Sequence, residues 1–152
     1  MASLTELRDA ACACLKNALP AVRVSGLAGS ADAATILRES VGKSTVFVVL
    51  LAAENHAERA PMDFDMQATL GALIIIHGRK NQTAREADGL AVAEAAAQSL
   101  HGRTFGMADA GPARVLGIAP LADEELENKG LWAWAVTWEQ SLTFTATQEA
   151  GV

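Results

Sequence analysis

Hydrophobic and polar residues alternate along residues 130–144, "GLWAWAVTWEQSLTF". The even positions read Trp132, Trp134, Val136, Trp138, Gln140, Leu142 and Phe144, while the odd ones read Ala133, Ala135, Thr137, Glu139, Ser141 and Thr143. Period two puts the bulky set on one side, which predicts a strand with one apolar face, interrupted only at Gln140. The same alternation begins at Met62, where Met62, Phe64, Met66, Ala68, Leu70, Ala72, Ile74 and Ile76 face away from Asp63, Asp65, Gln67, Thr69, Gly71, Leu73, Ile75 and His77. The first half of that segment is one-sided and the second half is apolar on both sides. Residues 44–53, "STVFVVLLAA", are apolar at odd and even positions alike and rich in β-branched side chains. They predict a strand covered on both faces, the candidate for the centre of a sheet. "ARVLGIAP" reads as a further short strand.

Helical spacing fills much of the rest. Ser3 and Glu6 form a capping box, and Leu4, Leu7, Ala11, Cys14 or Leu15, and Ala18 recur at helical intervals up to Pro20, predicting a helix over Leu4–Leu19. "AVRVSGLAG" is a short extended piece, after which Ser30 or Asp32 caps a brief helix carrying Ala33, Ile36, Leu37 and Val41, stopped by Gly42. "ENHAERAP" reads as a charged turn. A second capping box, Thr83 with Glu86, opens the alanine-rich helix "AREADGLAVAEAAAQSL", whose stripe is Leu90, Ala93, Ala97 and Leu100, and Gly102 suits its C-terminal cap. That stripe of small residues favours close approach to a sheet, against the cost of Gly89 inside the helix. "RTFGMADAGP" is a glycine-marked loop and "LADEELENKG" an acidic connector with one helical turn. The order of helices and strands predicts an α+β fold, a mainly antiparallel sheet with helices packed on one face, in one domain over residues 1–152.

Composition narrows the function. Alanine supplies much of the 51% hydrophobic content, and the longest apolar runs, Val46–Ala53 and Leu70–Ile76, fall well short of the ~20 residues of a membrane helix. Glu6, Arg8 and Asp9 interrupt the place of a secretory signal, so synthesis in the cytoplasm is expected. A net charge of −6 disfavours broad contact with nucleic-acid phosphates. Cys12 and Cys14 lie two apart on a predicted helix and point in different directions, which argues for reduced thiols.

No motif carries chemistry. "GKST" at residues 42–45 lacks the preceding glycine of a phosphate-binding loop, having Leu37 there, and it opens a strand where such a loop opens a helix. His56, His77 and His101 are scattered, without metal-ligand spacing. "GLAGS" lacks the glycine that a nucleophile elbow needs after its serine, and Asp123, Glu124, Glu125 and Glu127 form a solvated acidic turn without calcium-loop spacing. No catalytic residue, cofactor-binding residue or metal ligand is expected, and no cofactor.

Length then points to partners. A compact domain of this size is ~38 Å across, whereas Met62–His77 as a straight strand would span ~50 Å, and Leu131–Thr145 nearly as much. Such strands bend, at a bulge near Gly71 or Gln140, or they project as an arm that another subunit covers. Trp132, Trp134 and Trp138 are expected to form the core aromatic face. Met62, Phe64, Met66, Leu142 and Phe144 are the candidates for a subunit interface.

The whole-chain pattern resembles the tail terminator, or tail completion, proteins of bacteriophages, especially their Mu-like branch. The elements that carry the resemblance are "TELRDAACACLKNAL", "TVFVVLLAA", "LGALIIIHG", "EAAAQSLHG" and "LWAWAVTWEQSLTF". It implies a structural virion protein without catalytic residues, assembled in the bacterial host cytoplasm as a homo-oligomeric ring, typically of six copies. The ring would cap the tail-tube protein, stop its polymerisation and present a surface to the neck or head-connector protein, with DNA passing through without specific binding. Another neck or head-completion adaptor is the alternative within assembly proteins. The alternative outside them is a small-molecule-binding or enzymatic domain whose tryptophan face lines a pocket.

Overall fold

The computed structural model describes residues 3–27, 35, 36, 38, 44–59, 62–77, 82–121 and 124–147, with the side chains of 82–87 outside that description. The caps and much of the brief helix expected near residues 30–42, and the Thr83–Glu86 capping box, fall outside the described residues. The named elements among the described residues are, in order, α1 (Leu4–Ala18), β1 (Arg23–Gly26), β2 (Thr45–Glu58), β3 (Asp63–Ile76), α2 (Gln82–Leu100), β4 (Arg114–Pro120), α3 (Glu124–Asn128) and β5 (Trp132–Thr145). The strands form one sheet in the order β1-β2-β3-β5-β4, parallel between β1 and β2 and antiparallel elsewhere. This is the expected α+β fold with a mainly antiparallel sheet.

The sheet's even face carries the main core. Ser3 Oγ accepts the Glu6 amide at 3.1 Å and starts α1, which buries Leu7, Ala11 and Leu15. These side chains join Val46, Val48, Leu70, Ile74, Val136 and Trp138 from the sheet and Ala93, Ala96 and Leu100 from α2 in one cluster. Cys14 Sγ donates to the Ser99 carbonyl at 3.6 Å, tying α1 to α2, while burial pushes the Cys12 thiol up and keeps it protonated. The odd face holds a smaller cluster: Phe47, Val49, Leu73, Ile75 and Ala133 under Leu27, Ile36, Leu126 and Leu131. Both long helices therefore lie on one face, as the pattern predicts, and the short α3 helps to close the other.

Three features differ from what the sequence predicts. β2 runs through "ENHAE" to Glu58, where a turn was expected, because Ala52–Glu58 pairs with Phe64–Thr69 of the adjacent strand and local pairing overrides weak strand propensity. The centre of the sheet is β3, with β2 one strand further out. On α2 the buried small residues are Ala93 and Ala96, whereas Ala97 is only half-buried, so the stripe is rotated by one residue from the expected one.

Gly89 sits on that same stripe, and its neighbours account for it. A Cβ there would lie 2.5 Å from Trp134 Cδ1 and 2.9 Å from its Nε1. The helix backbone rests on the indole, and glycine is the residue that permits the approach. The conformational cost of a mid-helix glycine is offset by the packing of Trp134.

Candidate assembly surface

The long strands keep an unbroken register where they pair with each other. β3 and β5 stay in register from Ile76↔Trp132 to Asp63↔Thr145 without a shift. The irregularities lie on their outer neighbours, between Leu50 and Ala52 and between Asn55 and Ala57 on β2, and between Val115 and Gly117 on β4. A bulge inserts one unpaired residue and increases local twist, so the outer strands follow the twist of the central pair through these insertions. Two of the inserted residues are leucines: Leu51 is 50% exposed and Leu116 48%.

Beyond about Leu70 the sheet continues as a three-stranded arm made of the far halves of β2, β3 and β5. Its two faces differ in kind. On the even face Phe64 pairs with Phe144, ring centroids 5.8 Å apart and planes tilted by 53°, and Met66 pairs with Leu142. On the odd face Thr145 Oγ1 donates to Asp63 Oδ1 at 2.8 Å and Thr143 Oγ1 donates to Asp65 Oδ1 at 2.6 Å. Arg59 Nε reaches Asp65 Oδ2 at 2.6 Å from the turn that joins β2 to β3. The Ala146 amide donates to the Met62 carbonyl at 2.6 Å and closes the tip.

The Thr143 hydroxyl, then the Arg59 side chain, hold the Asp65 carboxyl below the usual carboxylate range. A lowered native pKa means that this contribution to stability is complete above the unfolded-state value of roughly 4 and is lost as pH falls through the native value. Asp65→Asn is expected to remove that acid-dependent step. Hydrogen exchange at the arm-tip amides, measured above and below pH 4, checks it: the parent loosens on acidification, and the variant shows no extra loosening.

Gln140, expected to interrupt the apolar face, is 1% exposed. Its Nε2 donates to the Arg103 carbonyl at 3.0 Å and the Gly111 carbonyl at 2.8 Å, and its Oε1 accepts from Trp138 Nε1 at 3.4 Å. The loop over residues 101–113 is thereby fastened across β5, with the Gly111 amide on the Ser141 carbonyl and the Thr143 amide on the Asp109 carbonyl. The loop reverses through Phe105, at φ 57, and Gly106, at φ 73. A left-handed phenylalanine is uncommon, and here its ring packs against the main core. Gln140→Leu removes the donor to the part-buried Gly111 carbonyl, while the Arg103 carbonyl keeps the Ala113 amide, and is expected to cost about 1–3 kcal/mol, the usual loss for one orphaned group. Chemical denaturation measures that cost, and faster proteolysis within residues 103–111 reports its location.

Leu142 is corrected by this loop. It is fully buried inside its own chain, bridged by Ala110, and is therefore not a surface for a neighbour. Met62 is 41% exposed, while Phe64, Met66 and Phe144 are half-buried, Phe144 against the main cluster of its own chain. Among the tryptophans, Trp138 is fully buried, Trp134 is buried beneath Gly89, and Trp132 is half-buried against the same cluster. The indole nitrogens of Trp132 and Trp134 are buried without a hydrogen-bond partner among the described residues. An open groove of about 510 Å³ lies between α1 and the loop, lined by Ala10, Cys14, Asn17, Arg103 and Phe105, away from all three tryptophans. Among the described residues no three acidic, histidine or cysteine side chains are grouped to hold a metal ion, and no helix is long and apolar enough to cross a membrane.

No protein-family model matches the chain, and no curated protein matches it. Among solved structures, the fold is similar to that of a chain described as part of the virion of a native gene transfer agent particle. The TM-score is 0.51 at 11% sequence identity, and the match covers 86% of this chain and 84% of that one, so the likeness is one of the whole fold.

Proposed function

We propose that this chain, as one domain over residues 1–152, is a structural virion protein of a phage-like particle. Within that class it acts as a tail terminator: a homo-oligomeric ring of six that caps the tail-tube protein and joins the tail to the neck or head-connector protein. The observation that carries the reading is the fold shared over most of the chain with a virion chain, joined to the exposed Met62 and the half-buried Phe64, Met66 and Phe144 at the far end of the β3–β5 ladder. The match gives no support to the Mu-like branch in particular, and the proposal is not made at that level. With a net charge of −6, a ring of such chains would let DNA slide through without specific binding. No catalytic step, cofactor or membrane contact is assigned. The small-molecule reading is less well supported, because Trp134 is covered by Gly89 of α2 and Trp138 is buried and bonded to Gln140.

Light scattering and negative-stain electron microscopy of the purified chain test the proposal. Rings are expected, and in the presence of a cognate tail-tube protein they are expected at tube ends. Replacing Phe64 and Phe144 together by serine is expected to leave a folded monomer with at least tenfold weaker assembly, about 1.4 kcal/mol per tenfold. Unchanged assembly of that variant would remove the arm's apolar face from the contact.

A further inference from the structure

The outer edge of β4 is covered at its start by the residues that follow α2. The Gly102 amide donates to the Ala113 carbonyl at 2.7 Å, the Ala113 amide donates to the Arg103 carbonyl at 2.8 Å, and the Val115 amide donates to His101 Nδ1 at 3.2 Å. The first two are backbone bonds, which keep their partners at any moderate pH. In the third a side chain stands where a carbonyl would be, and only there can a proton undo the cover. Further along, the Leu121 amide faces β5, on the Ala133 carbonyl. Amides of an antiparallel strand alternate in direction, so that of Ile118 faces outward, while Pro120 has none to offer. A free edge is a template for another strand, and the imidazole closes the Val115 end of this one.

The bond fixes the state of the ring. A neutral imidazole carries one N–H and one bare nitrogen, and accepting from Val115 requires Nδ1 to be the bare one, with the hydrogen on Nε2. An imidazolium has hydrogens on both nitrogens and accepts nothing, so a proton added at Nδ1 would set one N–H against another and turn the ring away. His101 is exposed and exchanges protons with water directly. Histidine side chains ordinarily make this change at about pH 6.5, well above the range in which Asp65 titrates. The charged groups around His101 are Arg103, two residues along the loop, Arg114, next to Val115, and Glu139 of β5, which holds the Arg114 guanidinium at 3.0 Å. The last turn of α2, Ala97–Leu100, brings none, and α1, which meets α2 through Cys14 and Ser99, brings Lys16 in its own last turn.

We propose that His101 is a pH-dependent guard of the β4 edge: neutral, it takes the Val115 amide and completes the cover, and protonated, it withdraws and leaves that donor facing solvent. The Gly102 and Ala113 bonds stay in place, so the opening is confined to one end of the cover and the fold is kept.

Nuclear magnetic resonance of the intact chain tests this between about pH 5 and about pH 8, with amide exchange corrected for its intrinsic pH dependence. The protection of the Val115 amide is expected to fall at least tenfold on acidification, with a midpoint that coincides with the titration of the His101 ring, while the Gly102 and Ala113 amides keep theirs. His101→Asn supplies an amide oxygen that does not titrate, and His101→Leu supplies no acceptor. Thermal melting at the higher pH confirms that both are folded, and in both the protection of Val115 is expected to be independent of pH. His56 and His77 remain in these variants, so a Val115 step that survives either substitution arises elsewhere and overturns the proposal. Equal Val115 protection at the two pH values in the parent would overturn it too, as would ring nitrogen shifts that place the hydrogen of the neutral imidazole on Nδ1.

Discussion

Trp138→Ala is expected to lower stability by about 3–5 kcal/mol, the usual range for emptying a fully buried aromatic site. Trp138 has no exposed surface, pairs with Leu70 on β3 and with Val115 on β4, and donates to Gln140 through its indole nitrogen. Truncation therefore opens a cavity at the join of three strands and withdraws one partner of the glutamine that fastens the 101–113 loop. Against a typical total of roughly 5–15 kcal/mol, such a loss is a large share of what holds a domain together. At ~2–4 °C per kcal/mol for chains of this size, the melting temperature should fall by roughly 6–20 °C. A fall of under 2 °C in calorimetry would show that the site collapses around the missing ring.

Ala93→Glu is expected to be at least as damaging. Ala93 has no exposed surface and packs with Ala96 and Leu100 in the main cluster. A glutamate there must either bury an unpaired charge or take up a proton, and both cost several kcal/mol at neutral pH. Ala97→Glu is the internal control, because Ala97 is only half-buried and its glutamate reaches water. The expected result is a partly unfolded Ala93 variant beside an Ala97 variant that melts within a few degrees of the parent. Equal damage from both would mean that α2 turns a different side to the sheet.

Ala93 and Ala97 also show where sequence reading stopped. A run rich in alanine predicts a helix with confidence in its period but says little about its rotation, since each alanine presents the same methyl group. Gly89 held the missing information. Its Cβ position is occupied by Trp134, and that fixes the buried side. The two long strands were legible because their period-two pattern is strong. Their apolar members from Trp132 to Leu142 and from Ala68 to Ile76 occupy the same face of the sheet. Gln140 breaks the apolar row in the sequence, and what it does there depends on partners that the row does not show. Those partners are backbone carbonyls from a loop some thirty residues upstream, which no local pattern encodes. The same loop removed Leu142 from the candidate surface. β1 read as an extended piece alone, because its place in the sheet depends on a parallel partner that begins at Thr45.

The unbroken β3–β5 ladder has a kinetic side. β2 and β3 are joined by a short turn and can zip locally, but β3 meets β5 across a separation that reaches 82 residues at the arm's tip. Closing so long a segment must precede any return from the contacts it makes, which slows folding. Until β5 arrives, one edge of β3 stands open along the strongly apolar Leu70–Ile76, and the hairpin already formed beside it holds that edge extended. A newly made chain therefore passes through an interval in which its best template for pairing is offered to any neighbour. Crowded synthesis and heating put it at greater risk of aggregation than the finished fold would suggest.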